Sequence, residues 1–554
     1  MQIRKTYILP AVALLLLGTV LGVQLESSWS DDDTYEQLSK LEKAFVIINR
    51  QYVEDVDAKE VAEEGIRSML QKLDPHSSFI EADDVQEVQE TYEGAFGGIG
   101  IWFEVVDDTA RVLSPITDGP SEQVGVMPGD RIVEIEGESA VGVGDEGIQD
   151  RLKGEVGTEV EMTIKRPGTW NRNSFQIERD EIPLYSVDSS HMLDEETGYL
   201  RINRFAQTTH DEFMEHMGEL EEDGMGRLVL DLRNNPGGVM QSAVQIADEF
   251  LSEGHTIVKT KGRESNMDNE FHASSGGAFE DKPLIVLVNE NSASASEIIS
   301  GALQDHDRAL IVGQRTFGKA LVQQQFELDD GSMMQMTVGR YYTPVGRLIQ
   351  TPFEDGNRED YFEQRMELAE RDREMVDPSD YREEIADSLV YETNQGREVF
   401  GGGGIFPDHL LQREEADVTT AILQGGYDML FIEDWFSEHE TALRDEWGDR
   451  EDEFISSYTA DSDMVEAFWT FLDEEEDIEI TTDEEEAAES ARAFTRAELE
   501  EEADRVETYL KGRMAFKLYG ARAQQPILNE VDPVIEQALS LWPQSKDLAA
   551  FHQQ

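Results

Sequence analysis

Two stretches of this chain are apolar without alternation: GRLVLDLR (226–233) and PLIVLVNE (283–290). A strand with one face in water alternates apolar and polar residues. An uninterrupted aliphatic run needs cover on both faces, as in a largely parallel sheet flanked by helices. Residues 195–410 alternate such strands with helical segments, so this part of the chain reads as α/β.

The flanks read differently. In 34–90, LEKAFVIINRQYV (41–53) and VAEEGIRSMLQKL (61–73) carry helical apolar spacing, stopped by Asp74-Pro75. From about 92 to 170 the runs are short and β-rich, as in GGIGIWFEV, ARVLSPI, DRIVEIEG and TEVEMTIKR. Gly, Asp and Pro turns separate them, and a short helix is expected around Val143–Leu152. After Pro407 the chain turns helical and acidic. The 554 residues suffice for about three or four domains. The expected divisions are 1–30, a signal peptide or signal-anchor; 31–90, helical; 91–170, β-rich; 171–410, the α/β core; and 411–554, an acidic helical extension.

Charge excludes one class of function. Against 46 Lys+Arg stand 119 Asp+Glu, a formal net charge of −73. A general nucleic-acid binder needs a basic surface to displace counterions, so no nucleic-acid partner is expected. The acid is spread along the chain and densest at 473–486 and 498–504. Such a surface repels itself at low salt and is tolerated when ions screen it, which favours a halophilic setting over an acidic lineage or a solvated tail. With no Cys there is no disulfide, thiolate metal site or Cys nucleophile.

At the N-terminus, Arg4 and Lys5 precede the apolar run Tyr7–Val23. Its length lies between a signal h-region and a membrane span, and no A-x-A site follows. An uncleaved signal-anchor is the favoured reading over a cleaved signal, and either exports the bulk of the chain. The basic residues keep the N-terminus inside.

Three places carry chemistry. In 283–306 a buried strand ends in a polar turn and a helix begins in small residues, placing Ser294 at its start. Free N–H groups there can stabilise an oxyanion, although Ser at a helix start is ordinarily a cap, and Glu297 fits a capping box with it. His306 is no partner for Ser294, because twelve helical residues rise about 18 Å. Lys319, in RTFGKALVQQQ, is bracketed by apolar segments. Burial disfavours its ammonium form, and a neutral Lys can take a Ser proton. Gln323 orients it only if the chain bends: about 6 Å separates i and i+4 on a helical turn and about 13 Å on a strand. In LVLDLRNNPGG (228–238), Gly237 and Gly238 allow close backbone approach to a carbonyl. There is no HExxH, GxSxG or Walker loop.

DLRNNPGG, NENSASASEIISGALQDH, RTFGKALVQ, DGSMMQMTVGRYYTPVGRLIQ and GGGGIFPD, in that order, resemble the carboxyl-terminal processing peptidases, the tail-specific proteases of serine peptidase family S41. The similarity covers about residues 35–410. It implies a Ser–Lys endopeptidase with an α/β protease core (crotonase/ClpP-like βαβ arrangement), a PDZ domain before it, and helical N- and C-terminal regions. Ser294 matches the nucleophile, Lys319 the general base and Gln323 the residue that orients it. The oxyanion donors match the backbone of Gly238, Gly237 and Ala295, and Glu297 matches a supporting acidic position. Ala320 stands where the family commonly has Gly. The resemblance calls for no metal or organic cofactor.

GGIGIWF (97–103) resembles the PDZ loop and strand that hold a peptide C-terminus, which assigns peptide binding to Gly97, Gly98, Ile99, Gly100 and Ile101 through β-augmentation. PSEQVGVMPGDRIVEIEG (120–137) is the accompanying PDZ signature. The expected enzyme sits in the bacterial cell envelope on the periplasmic side, anchored by its N-terminal segment, and cuts exported proteins near free apolar C-termini. A catalytically silent PDZ scaffold and a peptide-binding protein on the same core are the alternatives. For the tail a helical cradle, a homodimer contact and substrate handling stay open.

Overall fold

The computed structural model describes residues 32–552 apart from 107, 117–118, 167–170, 354–357, 374–380, 383–384, 412–417, 461, 475–478 and 482–492. The apolar run 7–23 and most of the acidic stretch 473–486 lie outside the described residues. Among the described residues no helix is long and apolar enough to cross a membrane.

The N-terminal spacing yields α1 (Asp32–Gln51), α2 (Ala58–Gln71) and α3 (Val85–Glu93). Asp57 caps α2 by accepting from the N–H groups of Lys59 and Glu60. One element departs from the helical expectation. Ser78–Ile80 forms a strand, β1, antiparallel to Met333–Met334–Gln335. Three residues are too few to print a period of two, and a distant edge supplies the pairing.

The β-rich region folds as β2 (Ala95–Gly98), β3 (Ile101–Val106), β4 (Thr109–Pro115), β5 (Arg131–Ile135), α4 (Gly144–Leu152), β6 (Glu159–Lys165), β7 (Arg172–Glu178) and β8 (Asp180–Pro183). The expected helix near 143–152 is α4. Strands β3–β4–β5–β6–β7 form one antiparallel sheet over a core of Val112, Ile132, Val160, Met162 and Ile164, and β2 pairs separately with β8.

Next come β9 (Val187–Met192), β10 (Thr197–Ile202), α5 (Thr209–Glu222), β11 (Arg227–Asp231), α6 (Met240–Asp248), β12 (Thr256–Gly262), β13 (Asn269–His272), β14 (Leu284–Val288), α7 (Ala295–Asp305), β15 (Leu310–Gly313), β16 (Leu321–Glu327), β17 (Met333–Tyr342), α8 (Arg358–Arg373) and β18 (His409–Leu410). The main sheet runs β9–β10–β11–β14–β15–β18, parallel except at β9. A second sheet, β1–β17–β12–β13 with β16 also on β17, binds the N-terminal region to the core. All eleven residues of α7 are buried, as a helix between layers must be.

The continuous apolar runs are covered on both faces, and the second cover comes from the far end of the chain. One face of the main sheet packs α5, α6 and α7. The other buries Tyr199, Val229, Ile285, Leu287 and Val312 under Ile535, Ala538, Leu541 and Trp542, carried by α11 (Pro533–Ser540), α12 (Trp542–His552) and the residue between them. Each such aliphatic side chain contributes about 1.5–3 kcal/mol by burial. Between them and the core, α9 (Tyr427–Trp447) and α10 (Ala503–Tyr519) belong to a separate apolar cluster around Phe431, Phe436, Phe454 and Phe468.

Candidate active site

The site lies where β11, β14 and the segment before β16 end. Every residue of β14 is buried, and the chain leaves it through Asn289–Ala293 to reach Ser294 with φ +54° and ψ −106°. An ordinary N-cap sits in the extended region. A non-glycine residue at positive φ is uncommon and is retained where surrounding contacts hold it. The Glu297 side of the capping box is formed, its carboxylate accepting the Ser294 N–H at 2.8 Å, while the Glu297 N–H donates to the Ser294 carbonyl at 3.0 Å. The candidate nucleophile therefore sits at the N-cap position in a strained conformation, with no side-chain capping bond from its hydroxyl.

The glycine turn of 234–238 presses against it. A Cβ on Gly237 would lie 2.7 Å from Ser294 Cβ, and one on Gly238 would lie 2.0 Å from Phe205 O, so neither position admits a side chain. Asn235 ties the two loops: its carbonyl accepts from Ala293 N (2.9 Å) and Ser296 Oγ (3.1 Å). The Gly237 N–H donates to Asn235 Oδ1 at 2.9 Å. Among the described residues, the N–H groups of Gly238 and Ala295 have no such acceptor.

Lys319 precedes β16. Its N–H donates to Glu297 Oε2 (2.9 Å) and its Nζ to Gln323 Oε1 (2.8 Å). Burial pushes the Lys319 ammonium below its ordinary range, against the opposing pull of Glu297 and Asp74. Of the bend or helical turn expected here, no helical turn forms: Gln323 lies within β16. The contact is made instead by the long reach of the lysine and by a register shift at Val322/Gln323. Gln323 is held in turn by His76 O, which accepts from its Nε2 (2.7 Å), and by Gln335 Nε2, which donates to its Oε1 (3.0 Å). Ser294, Lys319, Gln323, Gly237 and Gly238 line one cavity of about 810 Å³, whose wall is largely apolar: Phe205, Val239, Met240, Ile298, Leu321 and Tyr341. His306 is elsewhere, bonded to Thr256 O (2.7 Å) and stacked on His255.

Three residues at this site escape sequence reasoning or were undervalued by it. Glu297 joins the serine and lysine segments. The Tyr341 hydroxyl lies 2.6 Å from Lys319 O and 3.1 Å from Ser294 O. His76 comes from the N-terminal region. Its only sequence signal is the Asp-Pro-His-Ser turn, which reads as a helix stop.

The second candidate site is a cavity of about 330 Å³ between β3 and α4. It is lined by Gly98, Ile99, Gly100 and Ile101 together with Phe103 and Leu152. Gly100 adopts φ +67°. The carbonyls of Ile99 and Gly100 are engaged by Ser121 and Ile116, which fixes the loop. Gly97 pairs within the β2–β8 ladder, where a Cβ would meet Gly154 O at 2.1 Å, and it is not among the residues lining this cavity.

Residues 196–357 match the model of peptidase family S41, 111–166 that of a PDZ domain, and 20–84 that of the activating protease CtpB N-terminal domain. The carboxy-terminal-processing protease of Bartonella bacilliformis is 36% identical over 353 residues, covering 63% of this chain and 81% of that one. The carboxyl-terminal-processing protease of Picosynechococcus is 37% identical, covering 52% of this chain and 70% of its own. For carboxy-terminal processing protease CtpB of Bacillus subtilis the values are 34%, 58% and 67%. The chain belongs to peptidase family S41. It is a serine-type C-terminal processing peptidase, a mixed α/β core with a PDZ domain before it and helical regions at either end.

Proposed function

We propose that this peptidase works through a Ser294–Lys319 dyad and cuts exported proteins near their C-termini after its PDZ groove has taken the tail. The observation that carries the reading is the setting of Lys319: a buried amine whose Nζ donates to Gln323 Oε1, lining the same cavity as Ser294.

A neutral amine donating one N–H to Gln323 keeps its lone pair for the serine proton. Ser294 Oγ attacks the scissile carbonyl as Lys319 Nζ takes its proton. Gly238 N–H and Ala295 N–H receive the developing oxyanion. Collapse breaks the C–N bond, and Lys319 returns the proton to the leaving amine. Water, deprotonated by the same amine, then hydrolyses the acyl-enzyme. The strained Ser294 backbone and the two glycines favour this reading over a plain cap. The order of strands and helices fits a crotonase/ClpP-like core, and the run 7–23 fits an envelope anchor. In the PDZ groove a substrate tail adds along β3 while the Ile99–Ile101 N–H groups hold its carboxylate.

The test is incubation of the full chain with a protein ending in an unstructured apolar tail, followed by mass spectrometry. Fragments whose masses define an internal cut, absent with Ser294→Ala, are expected. Fragments persisting in Ser294→Ala contradict the assignment.

A further inference from the structure

We propose that the Asp74–Ser77 turn of the N-terminal region is a positioning element of the catalytic site, fixing through the His76 carbonyl the side-chain amide on which Lys319 rests. The inference rests on Lys319 being the general base.

A Gln amide has two ends of similar size and opposite hydrogen-bonding sense. With Oε1 toward Lys319, the amine donates to it and its lone pair points elsewhere. With Nε2 toward Lys319, the amide either opposes donor to donor or captures that lone pair, and the base is lost. What selects the first orientation is an acceptor that cannot donate. His76 O is that acceptor, 2.7 Å from Gln323 Nε2, and Gln335 Nε2 reinforces it by donating to Gln323 Oε1 at 3.0 Å.

The carbonyl is itself held. Asp74 Oδ1 accepts from the N–H groups of His76 and Ser77, and its Oδ2 accepts from Ser77 Oγ, each at 2.8 Å. Ser77 Oγ accepts from Thr337 N of β17 at 3.2 Å, and β1 continues the pairing from Ser78. The His76 ring packs edge-on against Phe317 and against Tyr361 of α8. The turn thus touches the lysine's own loop, the strand beside Gln323 and α8, although 247 positions separate His76 from Gln323. The bond between the turn and Gln323 is not local. One of the two bonds that set the amide orientation therefore depends on the N-terminal region being docked on β17, the other being that from Gln335.

The charged and titratable groups here are few. Glu297 and Asp74 face Lys319, each favouring its ammonium form. His76 faces Lys319, Arg358 and Arg365, and burial with these cations brings its pKa to about 4, so it is neutral at pH 7. Tyr361 is raised to about 12 by burial and stays a neutral phenol.

Three variants of the full chain test this: Asp74→Ala, Asp74→Asn and, as control, Lys319→Ala. General-base catalysis is worth about 10²–10⁴-fold, so kcat for Asp74→Ala, which loosens the base's support without removing it, should fall by about tenfold or more with KM within about twofold. Asn keeps an acceptor for the two N–H groups but removes a carboxylate facing Lys319. Asp74→Asn should recover most of kcat and shift the rising limb of its pH profile to lower pH. The limb shift reads the charge removed; the rescue of kcat by Asn is what positioning requires. A kcat equally low in both Asp74 variants, or a folded Asp74→Ala with wild-type kcat, overturns the proposal. If Asp74→Ala does not fold, Ser77→Ala, which loses the bond to Asp74 Oδ2, decides: kcat should fall with KM within about twofold, and a wild-type kcat overturns the proposal. An active Lys319→Ala removes the base assignment itself. An inactive Lys319→Ala beside wild-type Asp74 variants removes this inference alone.

Discussion

The backbone N–H groups of Ser294 and Lys319 converge on one oxygen, Glu297 Oε2, at 2.8 and 2.9 Å. The other oxygen accepts from Thr316 Oγ1 (2.6 Å) and Gly318 N (2.7 Å). One buried carboxylate thereby sets the spacing of the two segments that meet in the cavity. Burial raises its pKa to about 7, against the pull of the four donors.

Replacing Glu297 should show both roles. Glu297→Ala strands buried donors, each costing about 1–3 kcal/mol, and should lower stability and cleavage together. Glu297→Gln removes the titration, at the cost of turning its Nε2 on two of the four donors, so only the slope with pH is compared. From pH 4.5 to about 7 the folded state keeps a proton that the unfolded state has released, so this group makes stability fall as pH rises through that window. Denaturant midpoints across pH 4–8 should show this component in wild type and lack it in Glu297→Gln.

Amidation probes the PDZ groove. Its loop offers a few N–H donors, best matched by an anion. A substrate with an amidated C-terminus should show a raised KM, or lose any activation that the free tail gives, in steady-state assays of paired peptides. Equal cleavage of both forms would remove the groove as a tail reader.

The tail is tied to the PDZ unit by charge. Arg111 of β4, 2% exposed, bonds Glu104 of β3 and Glu433 of α9, and Lys517 of α10 bonds the same two carboxylates. Only Arg111 is fully buried in this cluster, and removing one member leaves the remaining charges less well paired, which is destabilising. Lys517→Met should lower the melting midpoint and speed proteolysis between the PDZ unit and the helical tail. An unchanged midpoint would show that the cluster is not limiting.

Salt should stabilise the chain. With a net charge of −73, self-repulsion acts over a screening length of about 10 Å at 0.1 M and about 3 Å at 1 M. A melting series from 0.1 to 3 M KCl should rise. A flat or falling midpoint would leave only the solvated-surface reading of the acid.

The parts of this molecule legible in sequence are those whose signal is local. The apolar runs at 228–230 and 284–288 announce buried strands, and the glycines at 237 and 238 announce a close approach, because each states its requirement within a few residues. What covers the sheet is not legible, since Ile535 and Trp542 meet Ile285 only after the whole chain has folded. The Lys319–Gln323 contact calls for a bend or a helical turn, because a regular strand holds i and i+4 about 13 Å apart. It occurs on a strand because pairing with β17 decides the backbone and a long side chain spans the gap. His76 was hidden because its contribution is a backbone carbonyl, which no residue type encodes.

The central claim is that Lys319 acts as the base, and the pH dependence of kcat/KM for wild type, Lys319→Ala and Lys319→Arg tests it most directly. Wild type should rise along a limb below the ordinary lysine value of 10.5. Both variants should fall about 10³-fold or more, since alanine has no base and arginine stays charged. Activity of either variant within tenfold of wild type, in a protein that still melts cooperatively, would contradict the account.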